Sequence, residues 1–218
     1  MIEKPMIVLV HGAWHGVWIW EKVAPQLAAS GWQSRTVELP STAENAGFEF
    51  RLHDDAAVVR QQIEQIDGPV VVVGHSYGGA VISEGAADLP NVRHLIYLAA
   101  FQLDVGESAL GLLGGIPLPW WIVDDGTITV ETAHEVFFHD LQEDDAERAV
   151  ARLLHFSWAG VEETLSAAAW RAVRSTYVIC DQDSAIPPSV QEQMSARATD
   201  VRRLPGGHSP FLSSVLSR

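Results

Sequence analysis

The chain has 218 residues, 14 basic and 28 acidic side chains, and a formal net charge of −14 at pH 7. This length suits one domain, or one domain with an insertion, and a hydrophobic fraction of 47% excludes a disordered chain. The acidic balance argues against binding to nucleic acid or to an anionic membrane, because both need clustered lysine and arginine.

The single cysteine, Cys180, excludes an internal disulfide and a cysteine-based zinc site. The first apolar run, Met6–Val10, is shorter than the core of a signal peptide. No stretch reaches the roughly 18 apolar residues of a membrane helix. We therefore expect a cytoplasmic protein.

Short apolar runs rich in β-branched residues recur along the chain and predict strands buried on both faces of a parallel sheet. In chain order they are Met6–Val10, Arg35–Leu39, Pro69–Val73, His94–Ala99 and Ser175–Cys180. Helical patterns alternate with them at Trp18–Ala29, Asp54–Ile66, Gly78–Ala87 and Pro188–Arg197. The alternation predicts an α/β fold with a mostly parallel sheet and helices on both faces.

The alternation stops between about Gln102 and Trp170, a segment too long for a simple connection between two strands. It begins with glycine, proline and aromatic residues and continues with acidic, helical patterns. Those patterns cover Val130–Phe138, Glu143–Leu154 and Val161–Trp170. We predict a helical cap, residues 102–170, inserted in a core made of residues 1–101 and 171–218.

The strongest local signal is the segment Gly74–Gly79, whose sequence is GHSYGG. It follows an apolar strand and precedes a helix, which is the context of a Gly-x-Ser-x-Gly nucleophile elbow. Glycines there leave room for neighbouring backbone at a sharp, strained turn. A chance Gly-Ser-Gly turn is the alternative, but the flanking elements favour Ser76 as a nucleophile.

A serine nucleophile needs a base, and in this architecture the chain order is serine, acid, histidine. His208, in a Gly-Gly-His-Ser-Pro loop, is the late histidine and our predicted base; an exposed loop histidine is the alternative. The acid belongs to the loop after the last apolar run. We prefer Asp183 there to Asp181, which could cap the turn, and Asp104 is a more distant candidate.

An oxyanion hole needs backbone N–H donors near the developing charge. We assign one to Tyr77, directly after the nucleophile, and one to Ala13 in the loop after the first strand. His11 and His15 in the same loop have the spacing of a zinc pair, but they lack the glutamate of His-Glu-x-x-His. We expect loop-bracing hydrogen bonds from them, no metal and no cofactor.

These residues carry a family resemblance. Residues 7–20 (IVLVHGAWHGVWIW), the elbow, residues 183–187 (DSAIP) and the pair 207–208 (GH) resemble the α/β-hydrolase fold superfamily. Within it, they resemble the branch of plant methyl-ester esterases (the salicylate-binding type) and hydroxynitrile lyases, with bacterial relatives. The resemblance spans nearly the whole chain and implies the roles assigned above to Ser76, Asp183, His208, Ala13 and Tyr77.

The triad alone does not separate an esterase from a lyase. Lyases of the branch typically carry a threonine after the first-strand histidine and a lysine after the catalytic histidine, where this chain has Gly12 and Ser209. No lysine follows Lys22. We therefore expect a serine carboxylic-ester hydrolase that forms an acyl-enzyme. Hydroxynitrile lyase-like C–C cleavage and a non-catalytic small-ligand receptor are the alternatives.

The cap is rich in aromatic and aliphatic residues, which favours small, neutral, hydrophobic or aromatic esters. Most of these side chains are expected to pack the cap against the core. The predicted substrate-binding residues are Gly12, Trp14, Trp120, Trp121 and Phe138. We expect no nucleic-acid or membrane partner, and the sequence leaves a homodimer open.

Overall fold

The computed structural model describes residues 4–43 and 49–213. The strands are β1 (Met6–Val10), β2 (Ser34–Val37), β3 (Thr42–Ala43), β4 (Val70–His75), β5 (Val92–Leu98), β6 (Trp121–Asp124), β7 (Thr127–Val130), β8 (His155–Ser157), β9 (Ser175–Cys180) and β10 (Asp200–Leu204). The helices are α1 (Val23–Ala29), α2 (Leu52–Glu64), α3 (Gly78–Gly85), α4 (Ala109–Leu112), α5 (Ala133–Phe137), α6 (Glu143–Val150), α7 (Trp158–Glu162) and α8 (Pro188–Ser195).

Six strands form the main sheet in the order β10-β9-β5-β4-β1-β2, and every neighbouring pair is parallel. In the central strand β4, both Val72 and Val73 are buried. Because successive strand residues point to opposite faces, the sheet is covered on both sides at this strand. The predicted α/β fold is confirmed.

The helices flank this sheet. Helices α2 and α3 pack on each other, α3 also contacts β4, and α8 contacts β9. The predicted first helix is shorter than expected: a 3-10 turn covers Val17–Trp20, and α1 begins only at Val23. Strand β10 is not among the predicted runs, because it is a mostly exposed edge strand with the sequence DVRRL.

The segment between β5 and β9 differs from the expected helical cap. It contains α4 to α7 but also β6, β7 and β8, which join β3 in an antiparallel sheet of order β3-β8-β7-β6. The β6–β7 hairpin turns at Asp125 and Gly126, which have φ values of 40° and 78°. Two successive positive φ angles are typical of the tight type I′ hairpin turn, for which Asp-Gly is a favoured pair. The hairpin therefore has a local cause that the helical interpretation overlooked.

Core and cap share this second sheet. Strand β3 comes from the first half of the chain and pairs with β8 of the cap through Thr42 and Phe156. The Ser157 N–H of the cap also donates to the Ser41 carbonyl at 2.9 Å.

Among the described residues, no helix is long and apolar enough to cross a membrane.

Candidate active site

Ser76 lies where β4 ends and α3 begins, with a left-handed φ of 53°. Its neighbours along the turn allow this strained geometry. A Cβ on Gly74 would lie 2.6 Å from the Gly78 carbonyl oxygen, and a Cβ on Gly78 would lie 2.5 Å from the His11 carbonyl oxygen. Only glycine fits at both positions, so the sharp turn predicted for Ser76 is present.

His208 and Asp183 are joined by a hydrogen bond of 2.8 Å between Nδ1 and Oδ2. A carboxylate only accepts, so the His208 Nδ1 carries the proton. His208 is fully buried, unlike the exposed loop histidine weighed above. The two competing acids are engaged elsewhere: Asp181 pairs with Arg203, and Asp104 with Arg171. The geometry thus favours Asp183 as the partner of His208.

Asp183 is held by further donors. Its Oδ1 accepts from the Ala185 and Ile186 N–H groups at 2.8 and 2.9 Å. Its Oδ2 accepts from the Gln191 side-chain amide at 2.8 Å, besides the bond from His208. Four donors keep the carboxylate in place. Gln191, fully buried on α8, was not predicted, because its role depends on how α8 docks and not on a local motif.

The His208 Nε2 is buried and has no hydrogen-bond partner among the described residues, Ser76 included. His75, the residue before Ser76, connects the two loops: its Nε2–H donates to the His208 carbonyl at 2.9 Å, and the two rings lie 4.7 Å apart. The base loop is therefore fastened beside the elbow. Catalytic hydrogen bonds often form only once substrate is bound.

The backbone N–H groups of Ala13 and Tyr77 are the predicted oxyanion donors. Both residues line the same cavity as Ser76. Within the described part of the chain, neither N–H donates to a protein acceptor. Two unpaired donors beside a nucleophile are suited to bind a developing negative charge.

Two histidines of the first loop brace it, as expected. The His15 Nδ1–H donates to the Ala13 carbonyl at 2.7 Å, and burial lowers the pKa of His15 to about 3, so this ring is neutral. His11 lies within hydrogen-bond distance of the Gly12 carbonyl, at 2.8 Å, and accepts from the Leu39 N–H at 3.1 Å. No group of three or more histidine, cysteine, aspartate or glutamate side chains in the described residues could hold a metal.

Most of the predicted substrate-binding residues surround the cavity over Ser76. Trp14, Trp120 and Trp121 line it, and the Trp14 ring lies 5.7 and 5.8 Å from the other two. Phe138 is a correction: it is fully buried outside this lining, and Phe137 takes the place on the wall.

Gly12 is not part of the cavity lining either; it lies against the nucleophile. A Cβ on Gly12 would be 2.7 Å from the Ser76 Cβ. Gly12 therefore acts by leaving room beside Ser76, and direct contact with substrate is not required of it.

The cavity is small. Its volume is about 20 Å³, which is room for about one water molecule. Of the described residues that line it, none carries an acidic or basic side chain. A larger groove of about 830 Å³ lies beside the 3-10 turn, but it contains no predicted site residue. Chemistry, and not size, identifies the smaller cavity as the candidate site.

The cap also contacts the base loop. The Asp140 Oδ2 accepts from the Gly207 N–H at 3.0 Å, next to His208. A Cβ on Gly207 would lie 2.9 Å from the His139 ring, so glycine allows this close approach. The His139-Asp140 pair therefore has a structural role at the boundary between cap and core.

Comparison with known proteins agrees with this architecture. The chain is similar over 97% of its length to an alpha/beta hydrolase of Aspergillus novofumigatus, at 29% identity and covering 92% of that protein. It is 40% identical to methylesterase 3 of Arabidopsis thaliana over 117 residues, which are 49% of this chain and 43% of that protein. The crystal structure of polyneuridine aldehyde esterase superposes with a TM-score of 0.84 at 20% identity, covering 99% and 96% of the two chains.

A family model described as the alpha/beta hydrolase family matches residues 7–215, nearly the whole chain. The matched range contains the elbow, the acid loop and the base loop whose geometry is described above. On sequence and fold together, the chain belongs to the alpha/beta hydrolase family.

Proposed function

We propose that the protein is a serine carboxylic-ester hydrolase that acts on small, neutral, hydrophobic or aromatic esters. The observation that carries the proposal is the buried 2.8 Å hydrogen bond from His208 to Asp183, which leaves the other His208 nitrogen free to accept a proton. The similarity to proteins named esterase and methylesterase supports the same reaction class.

In the proposed mechanism, His208 takes the Ser76 proton as the hydroxyl attacks the ester carbonyl. The Ala13 and Tyr77 N–H groups stabilise the oxyanion. The alcohol leaves with the proton from His208, and water then releases the acid by the same route. Asp183 orients the imidazole and stabilises its charged form without taking the proton.

The substrate class follows from the cavity. Aromatic rings of Trp14, Trp120, Trp121 and Phe137 form much of its wall, and its described lining carries no charged side chain. A charged substrate would lose its hydration there without gaining an oppositely charged side chain as its partner. Because the cavity has room for only about one water molecule, an ester enters when side chains of the cap move.

The experiment is turnover of p-nitrophenyl acetate by the wild-type protein, by Ser76→Ala and by Ser195→Ala. Ser195 is a matched control on α8, where its hydroxyl donates to the Glu192 carbonyl. We expect Ser76→Ala to fall to the buffer blank and Ser195→Ala to keep wild-type turnover. If the wild-type rate equals the blank, binding without catalysis becomes the better interpretation.

The lyase alternative is tested in the same preparation by following benzaldehyde release from mandelonitrile. Gly12 and Ser209 stand where lyases of the branch carry threonine and lysine, so we expect no release above the blank. Release that Ser76→Ala abolishes would overturn the preference for ester hydrolysis.

A location in the cytoplasm is part of the proposal, as is action on a small molecule without nucleic-acid or membrane partners. A homodimer is compatible with the proposal. Size-exclusion chromatography with light scattering measures the oligomeric state directly.

A further inference from the structure

A buried carboxylate lies behind the elbow, and the mechanism above does not use it. Asp55 of α2 is fully buried. Its Oδ1 accepts from the Ser41 N–H at 3.0 Å, and its Oδ2 accepts from the hydroxyls of Ser41 and Tyr77. Burial raises the pKa of Asp55 to about 6. Such a costly group is retained only where its hydrogen bonds compensate.

One of those bonds reaches the site. The Tyr77 hydroxyl donates to the Asp55 Oδ2 at 2.7 Å. The backbone N–H of the same residue is one of the two proposed oxyanion donors. The Tyr77 ring is buried and meets the Phe156 ring edge-on at a centroid distance of 4.8 Å. Gly160 allows this close packing, because a Cβ there would lie 3.2 Å from the Tyr77 hydroxyl.

We propose that Asp55 is a positioning residue: by holding the Tyr77 hydroxyl, it fixes the backbone N–H of Tyr77 where the oxyanion forms. The inference rests on the proposed esterase function and adds to it a role for a residue far from the substrate. Asp55 reaches the reaction only through Tyr77.

The same carboxylate is connected to the cap. Ser41 is bound to Asp55 by both its N–H and its hydroxyl, and its carbonyl accepts from the Ser157 N–H of β8 at 2.9 Å. Strand β8 of the cap and Tyr77 are therefore linked through Ser41 and Asp55. A chain of hydrogen bonds thus connects the cap to the residue that carries the proposed oxyanion donor.

The size of the effect follows from the other anchors of the elbow. Loss of a whole oxyanion donor costs roughly 10²–10³ in rate, and a misplacement of about 1 Å costs up to about 10². The elbow keeps backbone bonds of its own, such as Ser76 N–H to the Leu98 carbonyl at 3.3 Å. Release of Tyr77 from Asp55 therefore loosens the donor without removing it, and we expect kcat to fall about tenfold.

The test measures kcat and KM for p-nitrophenyl acetate, with active sites counted by fluorophosphonate labelling of Ser76. Tyr77→Phe and Asp55→Ala each remove the bond, and we expect each to lower kcat about tenfold with KM within about twofold. Since both act through one bond, the double variant should be no slower than the slower single variant.

Two further variants separate positioning from stability. Asp55→Asn keeps an amide that can hydrogen-bond the Tyr77 hydroxyl, so kcat should stay within about threefold of the wild type. Tyr97→Phe is the matched control, because Tyr97 is a fully buried tyrosine whose hydroxyl bonds Ser83 away from the cavity. It should keep wild-type kcat even if its melting temperature falls.

The outcomes are distinct. Wild-type kcat in Tyr77→Phe, or multiplicative losses in the double variant, would overturn the inference while the esterase function stands. If wild type and Ser76→Ala are equally inactive, the proposed function is wrong and this inference falls with it. Should Asp55→Ala fail to fold, Tyr77→Phe and Asp55→Asn decide the question by the same kcat comparison.

Discussion

Replacing Gln191 with leucine tests how the acid of the site is held. The Gln191 side chain accepts from the Cys180 N–H at 3.1 Å and donates to the Ile186 carbonyl at 2.7 Å, besides its bond to Asp183. Leucine has a similar volume but leaves both backbone groups buried and unpaired, at a cost of about 1–3 kcal/mol each. The free energy of unfolding should therefore fall by about 2–6 kcal/mol. For a chain of this size, that is a melting temperature lower by about 4–24 °C.

The measurement is thermal unfolding followed by circular dichroism, together with kcat on p-nitrophenyl acetate. Asp183 keeps three of its four donors in this variant, namely His208 and two backbone N–H groups. We therefore expect a smaller loss of kcat than in a variant that changes Asp183 itself. The main effect of Gln191→Leu should therefore be on the melting temperature and not on kcat.

Gln102→Leu is the matched control. Gln102 is fully buried too, but its side chain makes one long bond of 3.5 Å to the Ser175 hydroxyl, and among the described residues its Oε1 has no partner. Leucine should therefore lower the free energy of unfolding by no more than about 1 kcal/mol, or raise it. If both variants melt at the same temperature, the three bonds of Gln191 do not hold the loop and the reasoning is wrong.

Three further predictions concern single side chains. Gly12→Ala puts a Cβ 2.7 Å from that of Ser76, so kcat should fall about 100-fold. A wild-type kcat would show that the elbow accommodates the added methyl group, and would contradict the prediction. Asp183→Asn should lower kcat by about 10³–10⁴, whereas Asp181→Asn, which loses only an exposed ion pair, should change it less than about twofold; equal losses would contradict the choice of acid. Burial raises the pKa of Asp55 from 3.8 to about 6, so the folded state binds that proton more tightly. The melting temperature of the wild type minus that of Asp55→Asn should then decrease as pH rises from about 4 to about 6. A difference that stays constant over this pH range would refute the prediction.

The parts of the fold and of the candidate site that were predictable depend on local chemistry. The elbow around Ser76 needs glycines at set positions, so its pattern is visible in the sequence alone. Continuous apolar runs predict the strands of the buried sheet. The edge strand β10 has no such run because much of it faces solvent, and it was not predicted.

Other features depend on how distant elements dock. Gln191 lies 8 residues from Asp183, and Asp55 lies 22 residues from Tyr77. No spacing rule in the sequence indicates either of these hydrogen-bond partners. The sequence prediction of Phe138 instead of Phe137 as a cavity residue was wrong for a related reason. Neighbouring residues at the end of a helix point in directions about 100° apart, so a boundary error of one residue selects the wrong ring.

The pairing of β3 with β8 has a consequence for protein engineering. Because residues 42–43 of the core complete the sheet of the cap, the cap is not a module that can be exchanged by cutting at residues 102 and 170. A graft of that segment from a relative would arrive without its first strand. Transplanting a new cap, and with it a new substrate preference, requires residues 41–43 to be exchanged along with it.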